Sequence, residues 1–192
     1  SNWNATGFTN SGTLRATNSA TLTLQNGTFT NTGGLIQAQE NSHVDISAAT
    51  ITGGTLTSVG AGHFHLLNTP TLAGVAISSG SNVELGNAHH ANLTGTIQNS
   101  GTIKLLSEGN STDLLITSTT ATLGGGGNVT LSANANNRIY GSVGTHTLIN
   151  QDNVISGAGQ IGANQLTLDN RGTITANASG ATLTIDPSAT GA

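Results

Sequence analysis

Apolar and polar residues alternate in short bursts along this chain: Leu22-Thr-Leu24, Val44-Asp-Ile46, Phe64-His-Leu66, Val83-Glu-Leu85 and Leu183-Thr-Ile185. Period two turns one edge of an extended segment inward and the other outward, as in a strand with a single buried face. No apolar spacing of three and four persists. Thr, Asn, Ser and Gly dominate, and all are poor helix formers. The pattern therefore predicts strands throughout.

A second periodicity lies over the first. Asn10-Ser-Gly-Thr-Leu14 returns as Asn31-Thr-Gly-Gly-Leu35, Asn99-Ser-Gly-Thr-Ile103 and Asn170-Arg-Gly-Thr-Ile174, with a looser copy at Thr52-Gly-Gly-Thr-Leu56. Short repeats of this kind build solenoids, in which each unit buries its apolar side only against its neighbours. Three strand series thread the repeats. One carries Leu22, Val44, Phe64, Val83, Leu114, Ile139, Ile161 and Leu183 inward. Another carries Phe8, Phe29, Ile51, Leu72, Ile97, Leu123, Leu148 and Leu168. The third carries Leu14, Leu35, Leu56, Ile77, Ile103, Val129, Val154 and Ile174. The predicted fold is all-β: a single-stranded, right-handed parallel β-helix of about eight three-strand coils, each roughly 20–26 residues long. It forms one domain over residues 1–192, with insertions around 86–92, 106–113 and 132–138. Thr28, Thr50, Thr71, Thr96, Thr122, Thr147 and Thr167 each precede a core position of the second series, which predicts one outward threonine column. At the corners Gly supplies positive φ, and Asn supplies left-handed turns or side-chain ladders. Stacked Asn is expected at Asn10, Asn31, Asn99, Asn150 and Asn170.

Composition narrows the function classes. Charged residues make up 6% of the 192 and the net charge is −4, with no Lys/Arg cluster. A nucleic acid or an anionic membrane surface is therefore an unsuitable partner. No apolar run is long enough to cross a bilayer as a helix. Absence of Cys suits an exported protein. Absence of Met makes the chain read as part of a longer protein whose signal and anchor lie elsewhere. Open coil ends in such a piece favour end-to-end self-association.

The Asn-Ser-Gly-Thr-(Leu/Ile) phrases, together with Gly157-Ala-Gly-Gln-Ile161 and Leu166-Thr-Leu168-Asp-Asn-Arg-Gly-Thr-Ile174, resemble repeats of bacterial autotransporter passengers and filamentous-haemagglutinin-like exported adhesins. That resemblance implies an extracellular or outer-surface location. It also implies a structural or adhesive role toward a host surface, matrix, glycan or another cell. It transfers no catalytic residue, because no catalytic motif is matched.

Chemistry concentrates around the first strand series, whose outward positions hold His43, Asp45, His63, His65, Glu84, Asp113, Arg138 and Tyr140. These are the candidate ligand-binding residues. His63 and His65 flank Phe64, so both rings point outward about 7 Å apart at the backbone. With His43 one coil below, they form a candidate site for zinc or a similar divalent metal. A solvated ladder of complementary charges is the plainer reading of the same residues. The competing functional expectation is a polysaccharide-active or glycan-binding β-helix using Asp45, His65 and Glu84. Against it, the face lacks aromatic sugar platforms, and the single tryptophan, Trp3, lies at one extreme of the chain.

Overall fold

A computed structural model describes residues 7–189; Trp3 lies outside them. The described chain winds into a parallel β-solenoid of about eight turns with three walls. The first wall is an eight-stranded parallel sheet: Thr21–Gln25, His43–Ser47, His63–Leu67, Asn82–Gly86, Thr102–Leu106, Asn128–Leu131, Val154–Gly157 and Thr173–Ala176. The second wall begins with Phe8–Thr9, Thr28–Thr30, Thr50–Thr52 and Thr71–Ala73, and the third with Thr13–Ala16, Leu35–Ala38 and Thr55–Ser58. In the middle of the stack these two walls fuse. His90–Asn99 and Thr112–Gly124 are long strands that round the corner and serve both. Asn137–Gly141 and Gly159–Gly162 then continue the second wall, while Thr147–Asn150 and Thr167–Asn170 continue the third.

Alternation sorts the side chains as expected. On the first wall Leu22, Val44, Phe64, Val83, Ile103, Val129, Ile155 and Ile174 form one inward column. Leu24, Ile46, Leu66, Leu85, Leu105 and Leu131 form another. From Val44 to Ile155 the first column is fully buried. Burial weakens toward both ends of the stack, where Leu14, Leu22, Phe29, Leu168, Ile174 and Leu183 are only partly covered.

The stacking order differs from the sequence threading above the fourth coil. Ile77 lies over Leu56, as expected, but its next partner is Asn99 rather than Ile103. Ile103 instead joins Val83 on the first wall. Every later assignment moves one wall along: Leu114, Ile139 and Ile161 belong to the second wall, and Leu168 to the third. Three further positions slip, by one residue where Ile36 and Ile155 hold the columns given to Leu35 and Val154, and by two where Ile185 holds that given to Leu183. The threonine column breaks with the same slip. Thr28, Thr50 and Thr71 stack, but the next position is Asn92.

The cause is chemical. In the first coils the Asn-Xaa-Gly phrase turns the corner into the third wall, and in the later coils it turns the corner into the first wall. The same solution serves both corners: an Asn side chain that satisfies turn backbone and bonds to its counterpart in another coil. Asn10 Nδ2 donates to Asn31 Oδ1 at 2.7 Å, and Asn150 Nδ2 to Asn170 Oδ1 at 2.7 Å. Other asparagines hold left-handed turns instead, among them Asn26, Asn41 and Asn68. Asn99 reaches further. Its Nδ2 donates at 2.8 Å to Oδ1 of Asn153, 54 residues away, past an intervening coil that is glycine there. A Cβ at Gly127 would meet the backbone oxygens of Asn99 and Gly101 at 2.5 Å, so no other residue fits.

The extra length of the middle coils lies in the connections at 107–111 and 132–136, in Thr117–Thr120 within one corner strand, and in the segment 142–146. Residues 87–89 make only a short turn.

Phe64 is the largest fully buried side chain. Phe64→Ala should cost about 3–5 kcal/mol of unfolding free energy in chemical denaturation. Val59→Ala, at a position 42% exposed, should change it by under about 0.5 kcal/mol.

Candidate functional site

The eight residues read as one face divide between two walls. His43, Asp45, His63, His65 and Glu84 lie on the first wall, whereas Asp113, Arg138 and Tyr140 lie on the second. The division follows from the corner slip above the fourth coil.

On the second wall, Asp113 sits directly between His90 and Arg138 in consecutive coils. Its side chain is 1% exposed, and groups remote in sequence engage both of its carboxylate oxygens. Arg138 Nε donates to Oδ1 at 2.7 Å and Nη2 to Oδ2 at 2.6 Å. His90 Nδ1 lies 2.8 Å from Oδ2, and the Tyr140 hydroxyl donates to the same oxygen at 3.2 Å. The Arg138 guanidinium also lies over the Tyr140 ring, 5.2 Å from its centroid. The Asp113 hydrogen bond raises the Arg138 pKa, partly opposed by burial. Burial, then the Asp113 charge, raises the phenol of Tyr140. A carboxylate so fully engaged binds three coils together and has little capacity left for an external ligand.

The first wall is different. Its outward rank runs Thr23, Asp45, His65, Glu84 and Lys104 in successive coils. Lys104, placed on another face by the sequence threading, completes the ladder: its Nζ lies 3.0 Å from Glu84 Oε1. The adjacent rank stacks Thr21, His43 and His63. The three histidine rings touch. His43 and His63 are parallel with centroids 5.5 Å apart, and His65 lies 4.9 Å from His43 and 4.4 Å from His63. His43 Nε2 pairs with Thr21 Oγ1 at 2.8 Å. The ligand atoms that gather within 4.8 Å of one another make two triads, His43–Asp45–His65 and His63–His65–Glu84, rather than one triad of histidines.

An open cleft of about 320 Å³ borders this ladder, lined by His65, Leu67, Glu84, Gly86, Asn87, His89 and Leu106. Two aliphatic walls face a short row of titratable groups there, which suits recognition of a small polar moiety with some apolar surface. Neither His89, which lines the cleft, nor Lys104, which the sequence threading puts on another face, is among the candidate residues. Val83-Glu-Leu85 and Ile103-Lys-Leu105 are nonetheless matching apolar–charged–apolar triplets of opposite sign, a signal that would have stacked them.

No family model matches the chain, and no curated protein or solved structure matches it. Among the described residues, no helix is long and apolar enough to cross a membrane.

Tyr140 is the only tyrosine, so phenolate absorbance reports it alone. Its midpoint should lie above the ordinary value of about 10, and Asp113→Asn should lower it by removing an opposing negative charge. The folded state disfavours the phenolate. Its contribution is therefore whole below about pH 10 and is lost as pH rises through the raised folded value.

Proposed function

We propose that the chain is a non-enzymatic structural and adhesive segment of a large secreted or surface-displayed bacterial protein. In this reading the solenoid is a stiff spacer, and the first-wall ladder with its cleft is the contact surface. The carrying observation is the unevenness of the exterior. Titratable groups gather on neighbouring coils beside a cleft, on a chain that is otherwise clad mainly in Thr, Ser, Asn and Gly. Resemblance of the repeats to autotransporter passengers and filamentous-haemagglutinin-like adhesins supports the same reading, with an extracellular or outer-surface location. A host surface, matrix, glycan or another cell is the corresponding partner.

A polysaccharide-active role is the second reading. His65 and Glu84 both line the cleft, which favours it. The ion pair between Glu84 and Lys104 favours a binding role instead, because it occupies one oxygen of the carboxylate that glycoside cleavage would have to use.

Screening the full chain against anionic and neutral glycans separates the two. Retained binding without product release, weakened by Glu84→Gln and Lys104→Ala, is the expected result. Turnover that Glu84→Gln abolishes would establish the enzyme. If no immobilised glycan, matrix protein or cell surface retains the chain, the contact-surface reading fails.

A further inference from the structure

The contact between His63 and His65 has an electrostatic peculiarity. Their Nε2 atoms lie 2.8 Å apart, and the opposite nitrogen of each ring is already committed. His63 Nδ1 lies 3.0 Å from the Ala61 carbonyl oxygen, which can only accept, so this nitrogen carries the proton. His65 Nδ1 lies 3.0 Å from Asp45 Oδ1, and a carboxylate likewise only accepts. With both Nδ1 atoms as donors, each neutral ring presents a lone pair at Nε2. The two lone pairs then face each other at hydrogen-bond distance with no hydrogen between them. A metal ion bound by both rings, or a proton shared between them, would satisfy both lone pairs at that point.

The surroundings are those of a metal site. A ligating histidine ordinarily donates its remote N–H to a carboxylate or a backbone carbonyl, which fixes its tautomer and aims its lone pair. Asp45 does this for His65 and Ala61 for His63. The Glu84 carboxylate supplies a third donor, within 4.8 Å of both histidines. Lys104 engages its Oε1, so the second carboxylate oxygen remains for coordination. Two imidazole nitrogens and one carboxylate oxygen suit zinc and neighbouring d-block ions, not calcium or magnesium, which take all-oxygen shells. Tetrahedral zinc at about 2.0–2.1 Å from each nitrogen would open the pair to about 3.3 Å. That is a small side-chain adjustment on a wall where His65 is 35% exposed.

We propose that His63, His65 and Glu84 form a three-ligand site for a zinc-class divalent ion. Asp45 and the Ala61 carbonyl orient the two rings, and two of the three ligands, His65 and Glu84, line the cleft together with His89. His43 stacks on His63 and packs the site without ligating. The proposal stands whether or not the surface is adhesive.

Titrating the full chain with zinc at neutral pH after chelator treatment, with cobalt as a spectroscopic substitute, tests it. The expected result is one saturable equivalent, with cobalt giving the intense visible bands of a tetrahedral nitrogen/oxygen shell. His63→Ala and His65→Ala should each abolish binding, Glu84→Gln should weaken it, and His43→Ala should leave it unchanged. Asp45→Asn keeps every ligand but removes the carboxylate behind His65, and should weaken affinity about 10- to 100-fold. All five side chains point outward, so far-ultraviolet circular dichroism should be that of the parent. A variant with an altered spectrum is replaced by the corresponding His→Gln. Absence of saturable binding at millimolar zinc would leave the shared proton as the occupant and overturn the proposal. Binding that survives both histidine substitutions would overturn it equally, by placing the metal elsewhere.

Discussion

Parallel pairing between coils is the constraint from which the rest of this molecule follows. Each strand hydrogen-bonds to the one below and the one above, about 4.8 Å away, and period two fixes which side chains point inward. A residue therefore inherits its surroundings from its counterparts in the neighbouring coils. Phe64 is buried because Val44 and Val83 are. Aliphatic columns grow by accretion, and no coil buries enough surface to stand alone. Corners obey the same rule, which is why their asparagines bond to one another as well as to their own turns.

Stacking also disciplines charge. Identical charges in adjacent coils would face each other at van der Waals range, so neighbours on each charged rank have to complement one another. Asp45, His65, Glu84 and Lys104 do so on the first wall, and His90, Asp113 and Arg138 on the second. The two groups nevertheless differ in kind. Asp113 is sealed by its partners and engages both carboxylate oxygens internally. The first-wall ladder lies partly open, keeps a carboxylate oxygen of Glu84 in reserve, and sets two imidazole lone pairs against each other. One group holds coils together, and the other has chemistry left over.

Alternation such as Val44-Asp-Ile46 makes the solenoid and the outward set His43, Asp45, His63, His65 and Glu84 legible in the amino-acid sequence, because period two acts locally. Which coil wall a strand joins depends on the corner before it. Asn99-Ser-Gly-Thr102 reads like Asn10-Ser-Gly-Thr13 but turns a different corner, so Ile103 reads as a third-wall residue when it belongs over Val83. That single ambiguity carries Asp113, Arg138 and Tyr140 onto the wrong face and hides Lys104 from Glu84. Proximity of His63 Nε2 to His65 Nε2 is not legible at all. It depends on rotamers chosen by Asp45 and Ala61, and backbone spacing alone would leave the rings well apart.

The glycine run 124–127 changes how such a tower should come apart. Repeat stacks are ordinarily chains of nearest-neighbour couplings, able to fray one unit at a time. Here Asn99 clasps Asn153 through the gap left by missing side chains, a second-neighbour link at the middle of the stack. The three coils it spans are riveted into one cooperative block, so melting should start at the extremities and stop there before the centre yields as a unit.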